Sequence, residues 1–254
     1  MSASTRPVVL VTGVGRRVGI GAAVAVRLAR DGWDVGTTHW APYDDRMPWG
    51  RSHGDVDAIA AEVAGAGART LAVSADLTDV HAPAALFDAV TADLGPVTAL
   101  VMCHCESVDS TLLGTTVDSF DRHVAVNARA SWLLIKELAG RYEGGDGRGR
   151  IVALTSDATV GNLPYGASKA ALDRIVIAAG RELAHLRITA NVVNPGPVDT
   201  GWMDDALRQE ILRANPRGRL GQPTDTAALV SFLCSPDGGW VNGQLLHCDG
   251  GLHA

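Results

Sequence analysis

Tyr165 and Lys169 stand four positions apart in Tyr165-Gly166-Ala167-Ser168-Lys169, so on a helix they share a face. A phenol with its reference pKa near 10 exchanges protons poorly at neutral pH, and an ammonium beside it favours the phenolate. Such a pair can give a proton to a carbonyl oxygen or take one from an alcohol. Of 22 basic residues only Lys136 and Lys169 are lysines, so arginine serves wherever a surface cation suffices. A lysine one helical turn from a tyrosine therefore reads as chemical, against the plainer reading of a solvated lysine beside a packed ring. Ser156, in Leu154-Thr155-Ser156, ends an apolar run and offers a hydroxyl to charge developing on a substrate oxygen. Thr155 is a poor substitute, because adjacent strand residues point to opposite faces.

A second constellation is Val8-Val9-Leu10-Val11-Thr12-Gly13-Val14-Gly15-Arg16-Arg17-Val18-Gly19-Ile20-Gly21, a buried strand running through a Gly-rich turn into a helix. Gly13, Gly19 and Gly21 lack a Cβ, which lets backbone approach a pyrophosphate and lets helix pack on strand. The helix N-terminus adds free N–H groups and positive partial charge. The plain Gly-x-Gly-x-x-Gly fingerprint fails at Val18, and the same glycines also suit an ordinary tight turn. The next candidate strand ends Gly36-Thr37-Thr38-His39, with no acid before Asp44. An acid there would accept from a ribose 2′-hydroxyl, whereas a 2′-phosphate wants cations. Arg16, Arg17, Arg46 and Arg51 suit that phosphate, so NADP(H) is expected, with Asp44-Asp45 keeping NAD(H) open. Cys103-His104-Cys105 has one residue between its cysteines, too few for a structural zinc, and reads as buried thiols at a strand end; no metal is expected.

The elements that must position these groups alternate along the chain. Strand-length apolar runs lie at 8–12, 34–38, 70–74, 99–103, 151–155, 189–193 and 244–248, with helical patterns at 21–30, 56–64, 82–94, 117–141, 167–185 and 224–233. Strands apolar on both faces and separated by helices imply a parallel sheet covered on both sides, and right-handed crossovers wind it doubly. The expectation is α/β: a single-domain Rossmann fold over 1–254, a doubly wound parallel seven-stranded sheet with helices on both faces. The Gly-rich run 144–149 is a turn between elements and not a linker. Two insertions, 39–53 and 202–216, interrupt the alternation where such sheets hold ligands. They carry Trp40, Trp49 and Trp202, and the second has a helical pattern that suits a lid or a plain surface helix. A hydrophobic share of 46% and a charged share of 20% fit a globular chain and exclude a disordered or collagen-like one. Net charge −6 argues against nucleic acid as a partner, and no run approaches the roughly 18 apolar residues of a membrane span. The first apolar run, 7–12, is too brief for a signal peptide, so a cytoplasmic protein is expected.

Thr12-Gly13, a spacer, then Gly19-Ile20-Gly21, followed in order by Ser156, Tyr165 and Lys169, resembles the short-chain dehydrogenase/reductase family, in particular its 3-oxoacyl-carrier-protein reductase-like members. The likeness runs through the whole chain. It implies that Asp76-Leu77 holds the adenine ring and that His39 and Cys103 lie along the adenosine. It also implies that Pro195, Gly196, Val198 and Thr200 hold the nicotinamide carboxamide, that Lys169 reaches the nicotinamide ribose, and that Asn127 holds a water linking Lys169 to solvent. With Gly13, Gly15, Arg16, Arg17, Gly19, Ile20, Gly21 and Tyr165, these make the cofactor site; Asn127, Ser156, Tyr165 and Lys169 make the catalytic set. The endings Asn242-Gly243-Gln244 and Asp249-Gly250-Gly251 are typical as well.

Three departures stand out. The spacer after Gly13 is five residues, Val14 to Val18, where the family has about three. Met102-Cys103-His104-Cys105 replaces the usual Asn-Asn-Ala-Gly. Ser156 to Tyr165 is nine positions, against about thirteen. The implied activity is an NADP(H)-dependent ketoreductase or alcohol dehydrogenase acting on a small carbonyl or hydroxyl compound. Enoyl reductases share lengthened turns but space Tyr and Lys about seven apart, and the residue seven before Lys169 is Asn162. A catalytically silent dinucleotide sensor or scaffold is the reading from another class. The helical regions 117–141 and 167–185 resemble the family's dimer faces and Gln244 its second axis, implying a homotetramer or a dimer.

Overall fold

The computed structural model describes residues 6–144, 148–158 and 160–253. Seven strands, β1 (Val8–Thr12), β2 (Asp34–His39), β3 (Thr70–Ser74), β4 (Val97–Met102), β5 (Gly149–Leu154), β6 (Ile188–Asn194) and β7 (Leu245–His247), pair in parallel in the order β3-β2-β1-β4-β5-β6-β7. The alternation of side chains along each strand explains why both faces are covered. Leu10, Leu100, Met102 and Ile151 pack one way, against Phe87, Leu134, Leu138 and Leu172. Val9, Val11, Val101 and Val152 pack the other way, against Val24, Leu28, Val63, Val230 and Leu233. Burying a Leu or Phe fully stabilises by about 1.5–3 kcal/mol, and Leu10, Leu100, Leu134 and Phe87 are at most 1% exposed. The middle strands are thus a rigid floor. The strand order reverses between β1 and β4, and the crevice beyond the carboxyl ends of the strands opens at that point.

The helices are α1 (Ile20–Arg30), α2 (Ala41–Arg46), α3 (Asp55–Gly65), α4 (Ala82–Leu94), α5 (Val117–His123), α6 (Ala130–Arg141), α7 (Leu163–Glu182), α8 (Asp205–Ala214) and α9 (Pro223–Cys234). The continuous helix expected over 117–141 is divided by a π-helical turn, Val124–Arg129, a departure that clusters at functional positions and here contains Asn127. Helix α7 starts earlier than the expected 167. Pro164 lies in its first turn, where a missing N–H costs nothing, so Tyr165 sits in the first turn as well. Both insertions hold short helices: α2 in 39–53 and α8 in 202–216, the latter capped by Asp204, whose carboxylate accepts from the Leu207 N–H at 2.8 Å. Residues 145–147 of the Gly-rich run 144–149, and Thr159 of the loop before α7, lie outside the described residues. Among the described residues no helix is long and apolar enough to cross a membrane.

Candidate active site

A cavity of about 660 Å³ runs along the carboxyl ends of the central strands. At one end is the Gly-rich turn. Gly13 adopts φ +74°, and a Cβ there would lie 2.5 Å from the His104 nitrogen; a Cβ on Gly21 would lie 2.5 Å from the Gly13 carbonyl oxygen. Only glycine lets strand, turn and helix close this tightly. Gly19 is the N-cap of α1 and has no side chain to cap it, which leaves first-turn N–H groups directed at the cavity that Gly15, Gly19, Ile20 and Gly21 line. Unclaimed amides at a positive helix terminus fit a phosphate group.

The arginines of this region divide. Arg16 lies on the cavity wall, its guanidinium 4.5 Å over the Trp49 ring and donating to the Thr200 carbonyl at 3.0 Å. Arg17, expected beside it, turns away. Its N–H donates to Asp55 at 2.9 Å and its guanidinium to Glu62 at 2.6 Å, because the lengthened loop brings it against α3. Arg51 pairs with Asp45. Arg46 makes two 3.0 Å bonds to Glu106, whose side chain is 4% exposed. The insertion 39–53 folds over the cavity rather than away from it. Tyr43 donates to the Ser107 carbonyl at 3.3 Å, and Asp44, buried on the cavity wall, accepts from Trp49 Nε1 at 2.9 Å. His39 lines the same wall; burial holds its imidazole below the usual value, with Asp44 pulling the other way.

Asp76, Leu77 and Cys103 also line the cavity, and Asp76 is set by accepting from the Thr78 N–H and hydroxyl at 2.9 and 2.8 Å. Cys103 and Cys105 are half-buried on the cavity wall, and desolvation pushes both thiols up, Cys103 to about 12. His104 lies in the interior. Its Nδ1 is 2.6 Å from the Thr12 hydroxyl and its Nε2 3.1 Å from the Val126 carbonyl, and burial drives its pKa down to about 3. It is a neutral structural link between β1 and the π turn.

At the other end stand Ser156 and Tyr165 on the cavity wall. Tyr165 is pushed up first by burial and next by the Cys105 thiol, and is drawn back by the neighbouring Ser156 hydroxyl. Lys169, 2% exposed, donates from Nζ to the Leu154 carbonyl at 2.8 Å and lies 5.7 Å from the Tyr165 ring centre. Burial lowers its own pKa. The expectation that Lys169 depresses the phenol is corrected accordingly: its ammonium faces a backbone carbonyl, and desolvation governs the tyrosine. Asn127 lies behind the wall. Its Oδ1 accepts from the Glu106 N–H at 2.8 Å, and its Nδ2 donates to the Glu106 carbonyl at 2.9 Å and to the Ser168 hydroxyl at 2.8 Å. Its side chain thus ties the loop after β4 to α7.

Pro195, Gly196, Val198 and Thr200 form the wall after β6, with Asn194 Oδ1 accepting from the Gly196 N–H at 3.0 Å. Leu207 and Ile211 of α8 face the cavity, and Arg208 moors that helix to Asp199 with bonds of 2.7 and 2.8 Å. Trp40, Trp49 and Trp202 all line the cavity. Sequence reading did not single out Glu106, Asp157, Leu252 or His253, all cavity residues whose contacts come from distant segments.

Residues 13–253 match the family model described as enoyl-(acyl carrier protein) reductase. An uncharacterized oxidoreductase of Bacillus subtilis (strain 168) is 34% identical over 257 residues, covering 99% of both chains. An NADPH-dependent aldehyde reductase-like chloroplastic protein of Arabidopsis thaliana is 33% identical, over 96% of this chain and 93% of its own. A short chain dehydrogenase from Burkholderia cenocepacia J2315, solved in complex with NADP, superposes with a TM-score of 0.86 at 33% identity over 98% of both chains.

Proposed function

This chain belongs to the short-chain dehydrogenase/reductase family, and on that premise we propose that it is an NADP(H)-dependent carbonyl reductase working as one catalytic domain. The observation that carries this reading is the meeting of Ser156 and Tyr165, with Lys169 behind them, on the wall of the cavity whose far end is the Gly-rich cradle. When bound, the cofactor supplies the hydride. Gly13, Gly15, Gly19, Ile20 and Gly21 would hold its diphosphate, Asp76, Leu77 and Cys103 its adenine, and Pro195, Gly196, Val198 and Thr200 its nicotinamide. His39 and Arg16 both line the cavity, and Arg16, on leaving the Thr200 carbonyl, would offer its guanidinium to a 2′-phosphate. That wall favours NADP(H), the cofactor of the Burkholderia and Arabidopsis relatives by their names.

Burial keeps the Tyr165 phenol protonated at neutral pH, the state a general acid needs when a carbonyl is reduced. Ser156 orients it and stabilises charge on the carbonyl oxygen. Lys169 brings positive charge behind the phenol and would hold the nicotinamide ribose. Asn127 acts on the site by fixing the backbone of Glu106 and the hydroxyl of Ser168. Trp40, Trp49, Trp202, Leu207 and Ile211 give the cavity an aromatic and aliphatic lining that suits an apolar aldehyde or ketone.

We further propose a cytoplasmic homotetramer. Val117, Phe120 and Trp132 lie exposed on α5 and α6, and Phe232, Trp240 and Leu245 are exposed near β7, giving two separate apolar faces. The test is NADPH and NADH oxidation over an aldehyde and ketone panel, with an enoyl thioester arm prompted by the matched family model's description and with Tyr165→Phe beside wild type. Turnover of carbonyls with NADPH that collapses in Tyr165→Phe supports the reading. Turnover confined to the enoyl thioester, or a fully active Tyr165→Phe, rejects it.

A further inference from the structure

The end of the chain folds back onto the reacting end of the cavity. Leu252 and His253 line it together with Ser156, Asp157 and Tyr165. His253 uses both ring nitrogens: Nδ1 lies 2.6 Å from Asp249 Oδ2, and Nε2 is paired with Asp157 Oδ2. An ionised carboxylate can only accept, so an imidazole that satisfies two of them must donate from both nitrogens, which only the imidazolium does. The two carboxylates differ in mobility. Asp249 is fixed, with its side chain 6% exposed and its oxygens accepting from the Gly251 N–H at 2.9 Å and the His253 N–H at 3.2 Å. Asp157 is 49% exposed on the loop that follows Ser156, a loop shortened to nine positions between Ser156 and Tyr165.

We propose that His253 is a positioning residue whose imidazolium clasps Asp157 to the anchored Asp249, closing the C-terminal segment over the reacting end of the cavity and fixing the loop that presents Ser156. The effect on rate rests on the carbonyl-reduction reading; the clasp itself does not. Other charged or titratable groups facing it are few. His247 on β7 has its Nδ1 3.9 Å from Asp249 Oδ2, its ring 5.1 Å from that of His253. Arg217 passes beside Gly250, and Tyr165 lies beyond Asp157. The Asp157 charge pushes the Tyr165 phenol up, so a cation held on Asp157 eases proton release. The Asp249 hydrogen bond, more than any other partner, holds His253 above the usual imidazole value. A raised folded-state value means that the clasp is complete below the free-histidine pKa of about 6.5 and is lost as pH rises through the higher value.

The test uses the full chain with NADPH in two arms. In the first, imidazole nitrogen–proton correlation spectra follow each histidine with pH in wild type and Asp157→Asn. The clasp requires a His253 titration above that of an exposed histidine, moving down in Asp157→Asn; the same ordinary midpoint in both proteins overturns it. In the second, kcat/KM for carbonyl reduction is compared between wild type and His253→Gln across pH. We expect His253→Gln about fivefold slower near pH 6, the modest size of an exposed ion pair, converging on wild type at alkaline pH. A ratio that does not change with pH overturns the positioning role. Tyr165→Phe runs alongside: if it stays active the reaction reading has failed, and the spectra still decide the clasp.

Discussion

Removing Arg46 tests whether the insertion 39–53 is part of the cofactor site or an ornament on it. In Arg46→Ala the Glu106 carboxylate, 4% exposed against 43% for its partner, loses two 3.0 Å bonds. Stranding a fully buried charge costs about 3–5 kcal/mol. Because Arg46 is nearly half exposed and water reaches the pair from its side, screening reduces this to about 1–2 kcal/mol. At about 2–4 °C per kcal/mol for a chain this long, the melting temperature should fall by about 2–8 °C. Glu106→Gln should lose less, since an amide needs no counter-charge, and the double variant should melt above the sum of the singles. The consequence extends past stability. Asn127 grips the backbone of Glu106 and the hydroxyl of Ser168, and α2 leans on Ser107 through Tyr43. NADPH affinity, read by quenching of tryptophan emission, should therefore weaken about tenfold in Arg46→Ala, as a loss of about 1.4 kcal/mol implies. An Arg46→Ala protein that melts and binds NADPH like wild type would refute this account of the insertion.

Four further variants follow from the same geometry. Arg16→Ala should weaken NADPH about tenfold and NADH far less, since a charge-assisted bond to a partly exposed phosphate is worth about 1–2 kcal/mol. Asp44→Asn should shift the ratio further toward NADPH, and equal losses for both cofactors in fluorescence titrations would contradict these placements. His104→Ala should destabilise by about 2–3 kcal/mol, through a cavity and the lost bonds to the Thr12 hydroxyl and the Val126 carbonyl, measured by urea unfolding. Because His104 stays neutral in the fold down to a pKa of about 3 while an unfolded-chain histidine takes up a proton near about 6.5, wild type loses stability as pH falls through that value. The loss in His104→Ala should be full at about pH 8 and shrink toward about pH 5. Arg208→Ala, freeing α8 from Asp199, should raise KM for an apolar carbonyl about threefold with little change in kcat, the signature of lost uniform binding; a drop confined to kcat would count against α8 as a pocket wall.

The sheet was legible because its signal is dense. Each strand is an apolar run and each helix a periodic one, so even approximate boundaries give the right layers. The Tyr165–Lys169 spacing and the Gly-rich turn were legible because chemistry constrains residues within a turn or two of each other. What escaped depends on contacts across long sequence separations. Arg46 and Glu106 are 60 residues apart, and His253 meets Asp157 from the far end of the chain; no periodicity reports such pairings. Arg17 was misplaced for a local reason, since the five-residue spacer turns successive side chains to opposite sides and only Arg16 keeps the cavity. The π turn at 124–129 was invisible because its sequence is an ordinary helical one, and the turn widens around tertiary bonds made by Asn127.

The departures from the family pattern fall where side chains are replaceable and backbone is not. A Cβ on Gly13 would meet the Cys103 carbonyl carbon and oxygen and the His104 nitrogen at 2.5–2.7 Å, so the turn is fitted to the main chain of 103–104 and is indifferent to the side chains attached there. With the usual asparagines gone, His104 bonds Thr12 on β1 and Val126 in the π turn, holding strand and helix in register by other atoms. The shortened loop obeys the same logic. Ser156 follows β5 and Tyr165 opens α7, both set by the sheet core, so removing residues between them leaves both side chains on the cavity wall and instead opens that side of the cavity. Asp157 and His253 occupy the opening. Lengthening the loop by four residues after Ala158, toward the family's usual length of about thirteen, should therefore displace His253 from Asp157 while Ser156 and Tyr165 keep their places on the cavity wall. The measurable result is an ordinary His253 titration in a protein that keeps its NADPH affinity; loss of cofactor binding would show that the loop, and not the sheet, holds the site together.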